Sequence, residues 1–151
     1  MGPNPTDRGR SGSKLNVMTD SDGTPIAVLV SAANEHDVNF ILPLVFTKFP
    51  HVSGAKGRPR TKPEVVRADA GYTSQDVLDV LACADIRGEI PQRGHTPTER
   101  LGRKRWPVER AIAWLKQFRR VGIRRDRLGV IYKAFVDMAC IMIAYREIAK
   151  S

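Results

Sequence analysis

The stretch "EVVRADAGYTSQ", residues 64–75, decides how the chain is read. A short apolar run, Val65 and Val66, leads through Arg67 to an acid, Asp69, and then to a glycine, Gly71. A Thr–Ser pair follows, and after it Val77, Leu78 and Leu81 recur at helical spacing. The pattern is a strand, a sharp turn and a helix, with the acid closing the strand. Ligands of open α/β sheets gather at the carboxyl ends of strands, where a carboxylate can hold a hard cation such as Mg²⁺. Gly71 lets the backbone turn sharply behind the acid. Asp69 can equally serve only as a turn cap, as strand-terminal aspartates often do.

Working outward, "KLNVMTD" and "PIAVLVSA" are β-like runs joined by the turn-forming "SDGT", so residues 14–32 read as an antiparallel hairpin. "ANEHDVNFILPLVFTKF" reads as a helix opened by Asn34, with Asp37 three residues on and a kink or split at Pro43. "PHVSGAKGRPRTKP" is a basic loop, "IRGEIPQ" a further short strand and "RGHTPTERLGRKR" a second basic loop. A helix is expected from near Trp106, with Pro107 in its first turn, to about Arg120, and a last one over roughly 129–148. Residues 1–13, rich in Gly, Pro and Arg, read as a flexible basic arm before the domain at 14–151. The order of elements indicates a mixed α/β sheet covered by helices.

A chain of 151 residues has the length of one domain with a single core. Its 25 Lys and Arg against 16 Asp and Glu leave a formal charge of +9, which points to a polyanion such as nucleic acid as partner. Cys83 and Cys140 show no metal-ligand spacing and read as buried small hydrophobes in a reducing cytosol. The polar start has no signal-peptide pattern, and the longest apolar segment, "VIYKAFVDMACIMIAY", is too short and too interrupted by Lys133 and Asp137 to span a bilayer.

A second constellation is "RKRWPVERAIAWLKQFRR", residues 103–120. At about 100° per residue, Val108, Ala111, Ile112, Leu115 and Phe118 form one apolar stripe, while Arg105, Glu109, Lys116 and Arg120 form a neighbouring one. Glu109 is thus one acid in a row of cations. It could complete a metal cage while the cations hold DNA phosphates, or it could simply pair with Arg105 at i,i+4. His36 and Asp37 diverge too far on a helix to chelate one ion, so Asp37 reads as a helix cap. "KGRPR", residues 56–60, has the composition of a minor-groove arm, or of a solvated basic loop.

Taken together, "GPNPTDRGRSGSKLNVMTDSDGTPIAV", "ANEHDV", "GRPR", "RADAGY" and "RWPVERAIAWLKQFRR" resemble, in order and spacing, the catalytic domain of bacterial insertion-sequence transposases of the DDE type. The resemblance covers nearly the whole chain. It implies a ribonuclease H-like fold in which three carboxylates hold two divalent metals, Mg²⁺ or Mn²⁺, for DNA strand cleavage and strand transfer. By position, Asp69 matches the family's second aspartate and Glu109 its glutamate. The family's signature around the glutamate, Y-(2)-R-(3)-E-(6)-K, is met by Arg105, Glu109 and Lys116, whereas Gly102 stands at the tyrosine position. Arg105, Lys116, Arg119, Arg120, Arg58 and Arg60 are the implied DNA contacts.

The family's first aspartate lies on a strand before the segment in which this chain starts. Asp7, Asp20, Asp22 and Asp37 do not match it, so the resemblance implies a partial domain lacking its first strand: a remnant, or the downstream frame of a frameshifted element. Such a chain is expected to bind DNA weakly and to lack strand-transfer activity alone. The resemblance further implies double-stranded DNA, both transposon ends and target, as partner, a homo-oligomer in the complete enzyme, a cytoplasmic, nucleoid-associated location and no membrane. Two other roles fit the composition: a non-enzymatic basic fragment that modulates the complete transposase, and a nuclease of the ribonuclease H kind without recombination.

Overall fold

In a computed structural model, residues 1–3, 11–52, 59–91 and 99–150 are described, with the backbone alone at 11 and 99–106. The chain divides into two compact units, residues 1–35 with 106–151 and residues 36–105, the division falling inside one helix. Where its length leads one to expect a single core, buried side chains gather into two clusters, one per unit.

The first unit holds a three-stranded antiparallel sheet of β1 (Gly2–Pro3), β2 (Ser11–Thr19) and β3 (Pro25–Ala32), in that order. β2 and β3 form the expected hairpin, registered through Lys14↔Ser31 and Val17↔Val28, with an irregularity at Met18/Thr19. The "SDGT" turn closes because Asp20 Oδ1 accepts from the backbone N–H of Asp22 at 2.9 Å and of Thr24 at 2.8 Å. The pairing of Gly2 and Pro3 with Gly12 and Ser11 places both ends of the segment read as an arm in the sheet, and residues 4–10 lie outside the described residues. Asn16, buried within the hairpin, donates to Ser31 Oγ at 3.0 Å, so its amide is satisfied on the neighbouring strand.

Three helices complete this unit: α3 (Glu99–Gln117), which enters it at Trp106, α4 (Arg119–Gly122) and α5 (Gly129–Ile148). α5 packs on β3 and α4. Val28, Leu115, Val121, Tyr132, Val136, Ala139 and Ile143 form the core. Tyr132 enters it by donating its hydroxyl to the Val121 carbonyl at 3.0 Å.

The start of α3 differs from expectation. The helix begins by Glu99, and Pro107 stands inside it rather than in its first turn. Glu, Arg, Leu and Lys dominate residues 99–105 and favour helix, which outweighs the single backbone bond Pro107 cannot make. α3 also stops at Gln117 rather than near Arg120, because Phe118 turns to an extended conformation, φ −74° and ψ 115°, and sends its ring into the core.

The second unit is a strand–helix–strand: β4 (Val65–Arg67), α2 (Gln75–Cys83) and β5 (Arg87–Glu89), preceded by α1 (Val38–Leu42) and one π-type turn at Pro43–Thr47. β4 and β5 are parallel, paired Val65↔Arg87, Val66↔Gly88 and Arg67↔Glu89, and the last pair is bridged by Arg67 Nε to Glu89 Oε2 at 2.7 Å. Parallel pairing needs a crossover, and α2 is that crossover. Val77 and Leu81 are buried with Ile41, Val45, Ile86 and Ile90, as the helical spacing implied.

Pro43 splits the α1 segment as expected, but the helix opens at Val38 and not at Asn34. Asp37 takes the N-cap position with a helical backbone and makes no side-chain cap, since capping oxygens approach from an extended residue. Cys83 is exposed, contrary to its reading as a buried hydrophobe, because it ends α2 on the side away from Val77 and Leu81; Cys140 is half-buried against the first core. The architecture is mixed α/β, with antiparallel and parallel strands in two separate sheets. Among the described residues, no helix is long and apolar enough to cross a membrane.

Candidate catalytic carboxylates and nucleic-acid interface

In the second unit, β4 ends at Arg67, so Asp69 stands two residues past the strand, at the carboxyl edge of the parallel pair. Its backbone is extended, φ −73° and ψ 160°, and it opens a 3₁₀ turn at Ala70–Tyr72. Asp69 Oδ1 accepts from the Gly71 N–H at 3.1 Å, and its carbonyl accepts from the Tyr72 N–H at 3.0 Å. The turn is tied down beyond, where the Thr73 hydroxyl donates to the Pro91 carbonyl that follows β5. Asp69 therefore caps a turn and also presents an exposed carboxylate.

The same turn brings in a residue that the sequence reading set aside. A Cβ on Gly71 would lie 3.5 Å from Asp37 Oδ2, so the Asp37 carboxylate faces the turn that carries Asp69. Tyr72, whose ring packs on the second core, registers both acids: burial first, then the charges of Asp37 and Asp69, push its phenol up to about 12. Asp37 is distant in sequence, and no local pattern could have announced it.

In the first unit, Glu109 is exposed on α3 and makes no hydrogen bond or ion pair with the described side chains. Arg105 lies four residues before it on the same helix, with its side chain outside the described atoms. Lys116 is exposed in the last turn of α3. Arg119 and Arg120 lie beyond the break at Phe118, so the row read through Lys116 to Arg120 is interrupted. Arg120 bridges to Asp126 at 2.6 Å and stacks on Phe135, 4.4 Å from its centroid. Arg119 is exposed with no such partner among the described residues.

The connection into α5 adds cations that the sequence reading missed, although "RRVGIRRDR", residues 119–127, is a visible basic run. Arg125 and Arg127 are exposed and without an ion partner among the described residues. Arg124 instead donates to the carbonyls of Asp126 and Arg127 and to the Ser13 hydroxyl, and stacks on Tyr132 at 4.8 Å. Arg60 forms an exposed ion pair with Glu64 at 2.9 Å, beside the bridge Val52↔Arg60 that closes the base of the basic loop. Arg58 lies outside the described residues.

Carboxylate oxygens suit a hard divalent cation, and Asp69 presents such a group at an exposed strand edge. Among the described residues, no three His, Cys, Asp or Glu side chains form a cluster that could hold a metal. Asp69 and Glu109 each present carboxylate oxygens of the kind such a cation takes, each within its own unit.

Residues 2–138 match the family model described as "Transposase DDE domain". The chain is also 41% identical over 150 residues to a Burkholderia cepacia protein described as "Putative transposase for insertion sequence element IS402", a match covering 99% of this chain and 71% of that relative. No solved structure matches the chain.

Proposed function

The chain belongs to the DDE transposases of insertion sequences, and from that we propose that Asp69 and Glu109 are two of the carboxylates with which such an enzyme cleaves DNA at the element's ends and joins them to a target. The observation that carries this reading is the position of Asp69, exposed at the carboxyl edge of β4 in a turn braced by Gly71 and Thr73. An antiparallel hairpin followed by a parallel strand–helix–strand unit also supports a ribonuclease H-like catalytic domain.

In this mechanism Asp69 and Glu109 would supply hard oxygen donors to Mg²⁺ or Mn²⁺. When bound, such ions would activate water or a DNA 3′-hydroxyl and stabilise the leaving oxygen in an in-line displacement at phosphorus. The Gly71 N–H fixes one oxygen of Asp69, which limits how the carboxylate can rotate. Lys116 and Arg119, with Arg125 and Arg127, position the DNA through its phosphates. Arg105 and Arg58 belong to the same proposal by sequence position; Arg60 and Arg120 do so only if DNA displaces Glu64 and Asp126. In each step the nucleophile, water or a DNA 3′-hydroxyl, would attack phosphorus directly and displace the 3′-oxygen of the cleaved bond, with no covalent enzyme intermediate.

The exposed cations equally favour a second reading, a basic DNA-binding chain that modulates a complete transposase. Glu109→Gln and Lys116→Ala separate the two when assayed in the chain's full genetic context. The enzymatic reading expects Asp69→Asn and Glu109→Gln to abolish Mg²⁺-dependent end cleavage while end binding persists, and Lys116→Ala to weaken binding. Cleavage unchanged in both acid variants, with binding lost only in the lysine variant, leaves the modulating role instead.

A further inference from the structure

α5 is apolar on two faces. Tyr132, Val136, Ala139 and Ile143 are buried in the core of the first unit. A second row, Ile131, Ala134, Met138, Ile141, Tyr145 and Ile148, lies on the opposite side of the helix at about 100° per residue. This second row faces water: Met138 is 59% exposed, Ile141 67%, Tyr145 73% and Ile148 74%. Its spacing alternates three and four without interruption, which is the repeat of a helix–helix seam. Ordinary exposed helices carry polar residues on the outer face, and a helix apolar all round is normally enclosed. The row leaves roughly 600 Å² of apolar surface in water, at the upper end of the largest patch on a typical monomer.

We propose that this row is the surface on which two copies of the chain associate, α5 against α5 about a two-fold axis. A two-fold interface presents the same patch from both sides, and an uncharged row of evenly spaced side chains complements itself. Each chain carries +9, so repulsion between copies is least where charge is absent, and no residue of the row is charged. Lys133 and Asp137, which flank the row on one side, neutralise each other at 2.6 Å. Nucleic acid is the wrong occupant, because its binding is driven by cations that the row lacks.

The dimensions agree with a dimer. From Ile131 to Ile148 the seam is about 26 Å long at the rise of an α-helix. Two copies bury on the order of 1,200 Å² in all, the lower bound of specific stable interfaces. A groove of about 320 Å³ between β3 and α5, lined by Ile26, Ala27 and Ala144 with Asp137 at its side, opens beside Ile141. The inference uses neither Asp69 nor Glu109, so it stands or falls apart from the catalytic reading.

Sedimentation equilibrium of nuclease-treated chain at high salt tests it. The expected result is a concentration-dependent dimer that Tyr145→Lys weakens by at least about tenfold, the effect of losing one anchoring side chain. Met138→Leu retains the dimer, and so does Val80→Lys at an exposed apolar site on α2. Should Tyr145→Lys fail to fold, by circular dichroism, Ile141→Cys in a Cys83→Ser background replaces it. Ile141 lies near the middle of the seam, so its copies approach in either helix orientation and a short bis-maleimide links them. A chain monomeric at high micromolar concentration, a dimer untouched by Tyr145→Lys, a dimer equally broken by Val80→Lys, or Ile141→Cys that does not cross-link would each overturn the proposal.

Discussion

Asp69 shows how one side chain can satisfy a turn and still face solvent. Its Oδ1 takes the Gly71 N–H, a bond that any strand-terminal aspartate could make, yet the carboxylate stays exposed. The two readings open at the sequence level, turn cap and ligand, are therefore compatible. Nearby, Asp37 makes this corner of the second unit more acidic than the local sequence suggests, and the two carboxylates together with burial hold the Tyr72 phenol neutral. At Cys140, burial first and then the Asp137 charge push the thiol up to about 11, with Lys133 opposing. The fold thus favours the neutral thiol. Below the ordinary thiol value of 9.0 the contribution is fully present, and above it the unfolded chain loses its proton first, so stability falls as pH rises from about 9 to about 11. Thermal melts across that window are expected to show the decline, and Cys140→Ala to make it shallower, while the raised Tyr72 phenol leaves a decline above about 10.

Among the elements, the β2–β3 hairpin was the most legible, because alternation and the "SDGT" turn are local signals. Its turn also contains a requirement that only the structure reveals. Gly23 has φ +85°, and a Cβ there would stand 2.8 Å from the Pro107 carbonyl. Gly23→Ala combines backbone strain with a collision against main chain, and is expected to destabilise by about 1–3 kcal/mol in denaturant titrations. A cost below a few tenths would mean that the turn relaxes. Helix ends were less legible. Pro107 resembles a starting residue, but the helix-forming run before it carries α3 back to Glu99, and the core's demand for Phe118 ends it before Arg119. Both outcomes rest on competition between local preference and packing, which periodicity alone does not resolve.

At the scale of the whole molecule, the +9 charge names the partner class but not the cations that face it. The structure sorts them. Arg124 is enlisted in the fold through Tyr132, Ser13 and two carbonyls, whereas Arg125 and Arg127 on either side of Asp126 are exposed. Arg125→Gln and Arg127→Gln are each expected to reduce the slope of log affinity for duplex DNA against log salt by about 0.9, leaving the melting temperature unchanged. Arg124→Ala is expected to lower the melting temperature instead, with a loss of about 1–3 kcal/mol from its abandoned hydrogen bonds. Equal salt slopes in all three variants would remove these residues from the DNA surface. The sequence by itself determined the family, the mixed α/β class, the hairpin, the place of Asp69 beyond a strand and the bounds of α5, since motif order, alternation and turn chemistry are properties of neighbouring residues. Only the tertiary structure decided that Asp37 faces the Gly71 turn, that the core divides in two and that α5 keeps an apolar face in water, because burial and close approach depend on residues far apart in the chain.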